Sequence, residues 1–497
     1  MRPELRDLTF RFLFLATLTL GSTGCRVTEN DVETWKGTVK GPSKMIAVLL
    51  ADKYDLQLRT HAALALVEMQ RSDIDGTGEL LATLQKLDPQ TRDKVLAGLV
   101  PGLAKAMSEG KVEPGTEPPP GQIRAKDAAF ALISQSGPGA ETRKGLTAAV
   151  MSWYVTDFDG RSLAGAYSAE QVVRALGASA AGSLVDALNA RSPQQALIKL
   201  AELIAQVGDV ETKKRAAHKL VEIEVEMNGG PFLDWLKQQI NTQLAATPGA
   251  KVDAARVEKT AVLNRDKFID EGVIPAMRHL ADQPEIANRL LAIAQDPNPA
   301  LANRRTRALQ ALQGKAREEH LDALLKIALD PTAPTSVRDY AFDRVGDTQS
   351  ARAIPALWPL VQDPKDQRLR WRAGELVLAL GGTTVLAEFI SKLPTGPDVK
   401  YEPEELEGYA TRLGQMTPLP RQVAQAQLSS PEWHARVLAL QFFARKGTQA
   451  DVRLLEPLVN DGATTKGAHW PKDSTVGKVA SQAIAGLRER LTQGQSG

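Results

Sequence analysis

Between residues 286 and 382 the chain spells one pattern three times, and this recurrence restricts the fold more than any other feature. The units read RLLAIAQDPNPALANRRTRALQALQG, LDALLKIALDPTAPTSVRDYAFDRVGD and AIPALWPLVQDPKDQRLRWRAGELVLALGG. Each runs from an apolar helical pattern through an Asp-Pro break (Asp296-Pro297, Asp330-Pro331, Asp363-Pro364) to a second pattern carrying Arg-x-x-Ala and a glycine. The arginines Arg305, Arg338 and Arg370 stand 33 and 32 residues apart. A period in that range belongs to stacked supersecondary units, none of which buries its apolar face alone.

The spelling has a physical reason. Leu321, Leu324, Leu325 and Ala328 fall at i, i+3, i+4 and i+7, and Leu369, Ala373, Leu376, Val377 and Leu380 form a second stripe of the same kind. Such stripes bury one face of a helix and leave the other free. Asp-Pro between two stripes ends one helix and starts the next, because Asp accepts from free backbone N–H groups and Pro suits the first helical position. Aromatics make up 5% of the 497 residues while Ala, Leu, Arg, Gln and Glu dominate, so the whole chain is expected to be all-α. Its 61 basic and 59 acidic residues leave a net charge of +2, which excludes a nucleic-acid surface spread over the whole chain.

The same sentence opens earlier, where residues 44–52 (KMIAVLLAD) and 58–66 (LRTHAALAL) match the later units at Asp52, Arg59 and Ala62. A proline in the first helix recurs in Ile274-Pro275-Ala276-Met277 and Ile354-Pro355-Ala356-Leu357. These residues resemble HEAT repeats over about 44–106 and 285–491, with weaker register between. The resemblance implies an α-solenoid of antiparallel helix pairs whose second helices line a concave face. It also implies a structural ladder between neighbouring repeats, here Asp52, Asp296, Asp330, Asp363 and Asp461 with Arg59, Arg305, Arg338, Arg370 and Arg436.

At the N-terminus, Arg2, Arg6 and Arg11 precede an apolar run at 12–20 (FLFLATLTL), far short of the roughly 20 residues that span a bilayer. Gly21-Ser22-Thr23-Gly24-Cys25 follows, and Cys25 is the single cysteine of the sequence. This resembles a bacterial lipoprotein signal, with Ser22 where that signal prefers Leu. It implies lipidation of Cys25 and attachment to a membrane of the cell envelope. Arg26, rather than Asp, follows the cysteine and favours the outer membrane. The remaining cysteine-free chain suits an oxidising compartment.

The expected organisation is a signal peptide at 1–24, a non-helical lead and cap at 25–42, and repeats at 43–108. A Pro/Gly-rich spacer at 109–121 (EGKVEPGTEPPPG) marks the main boundary, followed by degenerate helical repeats at 122–284, repeats at 285–491 and a tail at 492–497. Catalytic, metal and cofactor motifs are missing from the pattern: six histidines sit on separate elements, and no Gly-rich phosphate loop or nucleophile elbow occurs. Two runs, at 73–79 and 157–160, start like calcium loops but carry Leu84 and Ser168 where the twelfth-position glutamate belongs, and read as ordinary turns.

Positions two before and two after each buried alanine of the second helices point away from the core at about 100° per residue. They are Thr306 and Gln310, Asp339 and Asp343, Trp371 and Glu375, Gly408 and Arg412, and Val437 and Gln441. Glu407 departs from the pattern by standing where the arginine belongs. Asp339, Asp343, Trp371, Glu375, Arg412 and Gln441 are the expected partner-binding residues, with Trp371 as anchor. The expected function is a noncatalytic, lipid-anchored scaffold for an envelope protein, without nucleic acid. The alternatives are a local pocket for a small ligand, lipid or cell-wall fragment, and an enzyme such as a lyase.

Overall fold

The computed structural model describes residues 26–69, 74–110, 112, 116–137, 140–247 and 253–493. Cys25 and the expected signal peptide lie outside the described residues. Among the described residues there are helices throughout, no strand, and a single isolated bridge between Thr464 and Thr475. None of these helices is long and apolar enough to cross a membrane. The chain is an all-α fold of HEAT-like helix pairs, and it divides into two compact units after Leu280.

The second unit shows the repeat directly. First helices Pro284–Ala294, Leu321–Leu329, Ile354–Val361, Leu386–Lys392 and Arg421–Gln427 alternate with second helices Ala302–Ala311, Thr335–Asp347, Gln367–Gly381, Pro403–Leu413 and Trp433–Lys446. A sixth pair ends in Val476–Gln493. Each second helix packs on the next, so stacking covers both flanks of every interior repeat. The first stripe is inside, with Leu321, Leu324, Leu325 and Ala328 buried; of the second, Leu369, Ala373 and Val377 are buried while Leu376 and Leu380 are part-exposed. Gly314 and Gly382 take positive φ values of 69° and 55°, conformations that only glycine enters freely, and so end their units.

The first unit pairs Gly41–Leu50 with Leu56–Glu68, packs Gly76–Leu84 and Pro89–Ser108 on Leu56–Glu68, and pairs Pro120–Ile133 with Glu141–Thr156. Aspartates start these helices as expected: Asp55 accepts from Leu58 N at 2.8 Å, and Asp88 from Thr91 N at 3.0 Å with Pro89 behind it. Asp75 and Asp157 of the calcium-like runs do the same for Gly78 and Gly160.

Three expectations are corrected. The lead is not uniformly extended: Glu29–Trp35 is helical, because Thr28 and Asp31 form a reciprocal capping box, and Val32 is buried beneath it. The described residues 109, 110, 112 and 116–119 are non-helical, but a helix begins at Pro120, since the first position tolerates proline; the helices Pro89–Ser108 and Pro120–Ile133 on either side pack against each other. The ladder is also built differently. Arg59, Arg305 and Arg338 donate through Nε to the last carbonyls of their own first helices, Leu49, Ala294 and Ala328, at 2.9, 2.8 and 3.1 Å. These carbonyls are the orphans that a helix end leaves, and the arginine satisfies them. Asp52 pairs with Arg59 within its own repeat at 3.3 Å, while Asp461, in the turn of the sixth pair, meets Arg436 of the fifth at 2.7 Å and so links neighbouring repeats as expected. Asp296, Asp330 and Asp363 instead cap their own turns, accepting from Asn298, Thr332 and Lys365 N at 2.7 to 2.8 Å. The hydrogen bonds of Thr332 hold the Asp330 carboxyl below its ordinary range, and Arg305 of the preceding repeat adds to this.

Candidate functional site

The second helices of the second unit carry the residues singled out by spacing. Asp339 and Asp343 lie one turn apart on Thr335–Asp347 and face the start of Gln367–Gly381. Arg368 pairs with Asp339 there, while Arg372 Nη2 donates to Asp343 Oδ1 at 3.0 Å and to the Asp339 carbonyl at 2.9 Å. The basic groups opposite these acids thus belong to the same chain. All four side chains remain partly exposed, so each pair contributes little to stability and leaves polar edges at the surface.

Trp371 is half-buried, and its indole nitrogen is enclosed without a hydrogen-bond partner. A Cβ built on Gly408 would stand 2.7 Å from that nitrogen and 2.6 Å from Glu375 Oε1. Trp371 and Glu375 therefore press on the backbone of the next second helix, Pro403–Leu413, and only a glycine there admits them. Arg412, one turn further along, reaches Gln415 Oε1 at 3.4 Å.

Gln441 is 8% exposed, and its Oε1 has no partner. It lines a cavity of about 290 Å³ together with Pro403, Glu407, Arg445, Trp470 and Pro471. Arg445 donates to the Gln441 carbonyl at 3.2 Å and pairs with Glu407 at 3.5 Å. The Trp470 indole N–H is committed to the Tyr401 carbonyl at 2.7 Å, which fixes its ring against the opening. Glu407, Arg445 and Trp470 were missed from the sequence. The departure at Glu407 from the repeated arginine was the available signal, since its charge is answered by Arg445 on the next second helix.

Beneath this face lies a buried polar network. Arg370 and Glu405 are both fully buried and meet through two 2.8 Å hydrogen bonds, and Arg370 also donates to the Lys400 carbonyl at 2.6 Å. The guanidinium sits 4.3 Å from the Tyr401 ring, which stacks on His434 at 4.4 Å, and Tyr409 donates to Glu405 Oε1 at 3.0 Å. Burial pushes the Glu405 carboxyl up, against the pull of Arg370 and the hydrogen bond from Tyr409. Burial, then Arg370 and Arg436, push His434 down to about 4 and keep it neutral.

Glu402, Glu404 and His469 come close enough to share a cation. Glu402 already spends one oxygen on Ala468 N and the other on His469 N, each at 2.8 Å, and so fastens the long loop that carries Trp470.

No protein-family model matches the chain, and no curated protein does. Among solved structures it is similar to Kap121p bound to Pho4p, at 14% identity over 96% of this chain and 47% of that one, with a TM-score of 0.32. The karyopherin Kap121p bound to the SUMO protease Ulp1p is similar at 13% identity, 96% and 46% coverage and a TM-score of 0.33. The chain spans about half the length of these proteins.

Proposed function

We propose that the protein is a noncatalytic scaffold that binds a protein partner across the second helices of its second unit and is held at the bacterial envelope through lipid on Cys25. The observation that carries the binding reading is the continuity of that face. Asp339 and Asp343, Trp371 and Glu375, Arg412, and Gln441 occupy successive second helices, and the first four rest against the neighbouring repeat. Side chains held in place before binding lose little conformational freedom on docking. Trp470 and Gln441 border a recess at one end, and an aromatic ring beside a recess is the setting in which a few residues dominate affinity.

The noncatalytic reading rests on where the strained acid–base groups are. Burial shifts the acidities of Tyr401, Glu405, Tyr409 and His434, and these groups gather around Arg370 inside the repeat stack. The envelope location rests on the N-terminal sequence pattern.

The test is affinity capture from envelope extracts with the intact lipidated protein, run beside Trp371→Ala and Gln441→Ala proteins. The expected result is a partner retained by the parent and weakened by about 2 kcal/mol or more in at least one variant whose melting is unchanged. Retention equal in all three proteins would rule the face out.

A further inference from the structure

We propose that a cavity of about 340 Å³ in the first unit is a binding site for a small monocarboxylate with an apolar body, anchored by Arg161. The cavity lies among helices Pro89–Ser108, Pro120–Ile133 and Glu141–Thr156, and Ala104, Met107, Ala149, Trp153, Gln122 and Arg161 line it. Its volume sits at the low end of the range of about 300 to 1,000 Å³ in which small ligands bind.

Arg161 is 7% exposed, yet it is poorly satisfied. A guanidinium has five N–H donors. Among the described residues its acceptor is the Trp153 carbonyl, at 2.8 Å from Nη1, and its Nε is enclosed with no partner. Arg370 shows what a buried arginine in this chain ordinarily receives, with both oxygens of Glu405 and two carbonyls around it. A buried guanidinium with so few acceptors carries a desolvation cost. Asp157, acting only through space, and the Trp153 ring offset it in part, and an acceptor entering the cavity would reduce it further.

The surroundings select the acceptor. The Trp153 ring lies 5.0 Å from the guanidinium carbon, and its N–H is fixed by Gln122 Oε1 at 3.2 Å, while Gln122 donates in turn to the Glu109 carbonyl at 2.8 Å. This wall is rigid and offers an aromatic face beside the cation. Asp157 also acts on Arg161 through space, and its charge opposes a doubly charged anion more than a singly charged one. A planar carboxylate matches the fork of a guanidinium, whereas a doubly charged phosphate would meet Asp157. The apolar lining of Ala104, Met107 and Ala149 would take the rest of the molecule.

The test uses the full chain labelled with fluorotryptophan, the Trp153 signal being assigned with Trp153→Phe. Sodium hexanoate is titrated beside 1-hexanol and inorganic phosphate. Hexanoate is expected to shift the Trp153 signal saturably, with both controls weaker by about tenfold or more, and Arg161→Met is expected to abolish the shift. Ala149→Phe, which fills the cavity and keeps Arg161, should block it as well and serves if Arg161→Met does not fold. A cavity that holds water only, giving no saturable shift, would overturn the proposal. So would an equal response to hexanol or phosphate, or a response that survives Ala149→Phe.

Discussion

Arg370 and Glu405, 35 residues apart in the chain, face each other with no solvent exposure and share two hydrogen bonds of 2.8 Å. They join the second helices of consecutive repeats. Glu405→Ala should therefore destabilise the second unit by roughly 3–5 kcal/mol, because it strands a buried guanidinium. Replacing both residues with apolar ones of similar volume should cost much less. Denaturant melts of the two single variants and the double variant measure this, and additive losses would mean the two groups do not act as a pair.

Packing makes a separate demand at Gly374. A Cβ there would fall 2.6 Å from the ring and the hydroxyl of Tyr409, which is itself fully buried. Gly374→Ala should cost about 1–3 kcal/mol as overpacking, although alanine is ordinarily the better helix former. A thermal melt equal to or above the parent's would show that the ring has room to move.

The pH dependence follows from His434. Its folded pKa of about 4 lies below the unfolded 6.5, so the unfolded chain binds the extra proton first as pH falls. The contribution is fully present above about 6.5 and is lost progressively down to about 4, on the order of 3 kcal/mol in all. Urea midpoints should drop between pH 7 and pH 5 in the parent. They should drop less in a His434→Gln protein, and parallel curves for the two would assign the loss elsewhere.

Along the repeat turns the arginine matters more than the aspartate. Arg305→Ala removes the donor to the Ala294 carbonyl and should cost roughly 1–3 kcal/mol. Asp330→Ala touches an exposed turn and should cost less than Arg305→Ala. Melts that reverse this order would restore the aspartate as the main tie.

At the N-terminus, Cys25→Ala should release the protein from the membrane fraction and leave its signal unprocessed. Cell fractionation and the mass of the N-terminal peptide check this. A variant that stays membrane-bound and fully processed would remove the lipid anchor from the proposed function.

What the sequence determined by itself is periodic and local. The recurring Asp-Pro, the Arg-x-x-Ala at steps of 33 and 32, and stripes such as Leu321, Leu324 and Ala328 were enough for all-α repeats, because helix periodicity and capping are written within a few neighbouring residues. They also located where each helix turns its apolar side. They did not say what covers the other side. Trp371 lies against Gly408 of the next repeat, and Asp339 and Asp343 meet Arg368 and Arg372 rather than open solvent. Periodicity describes one helix, whereas in a stack the flanks of that helix belong to its neighbours. The same holds for Glu405, an acidic residue of ordinary appearance on an amphipathic helix that the tertiary structure places wholly inside, opposite Arg370. Arg161 shows the converse: nothing around it in the chain marks it as buried, and only the packing of three helices encloses it beside a cavity.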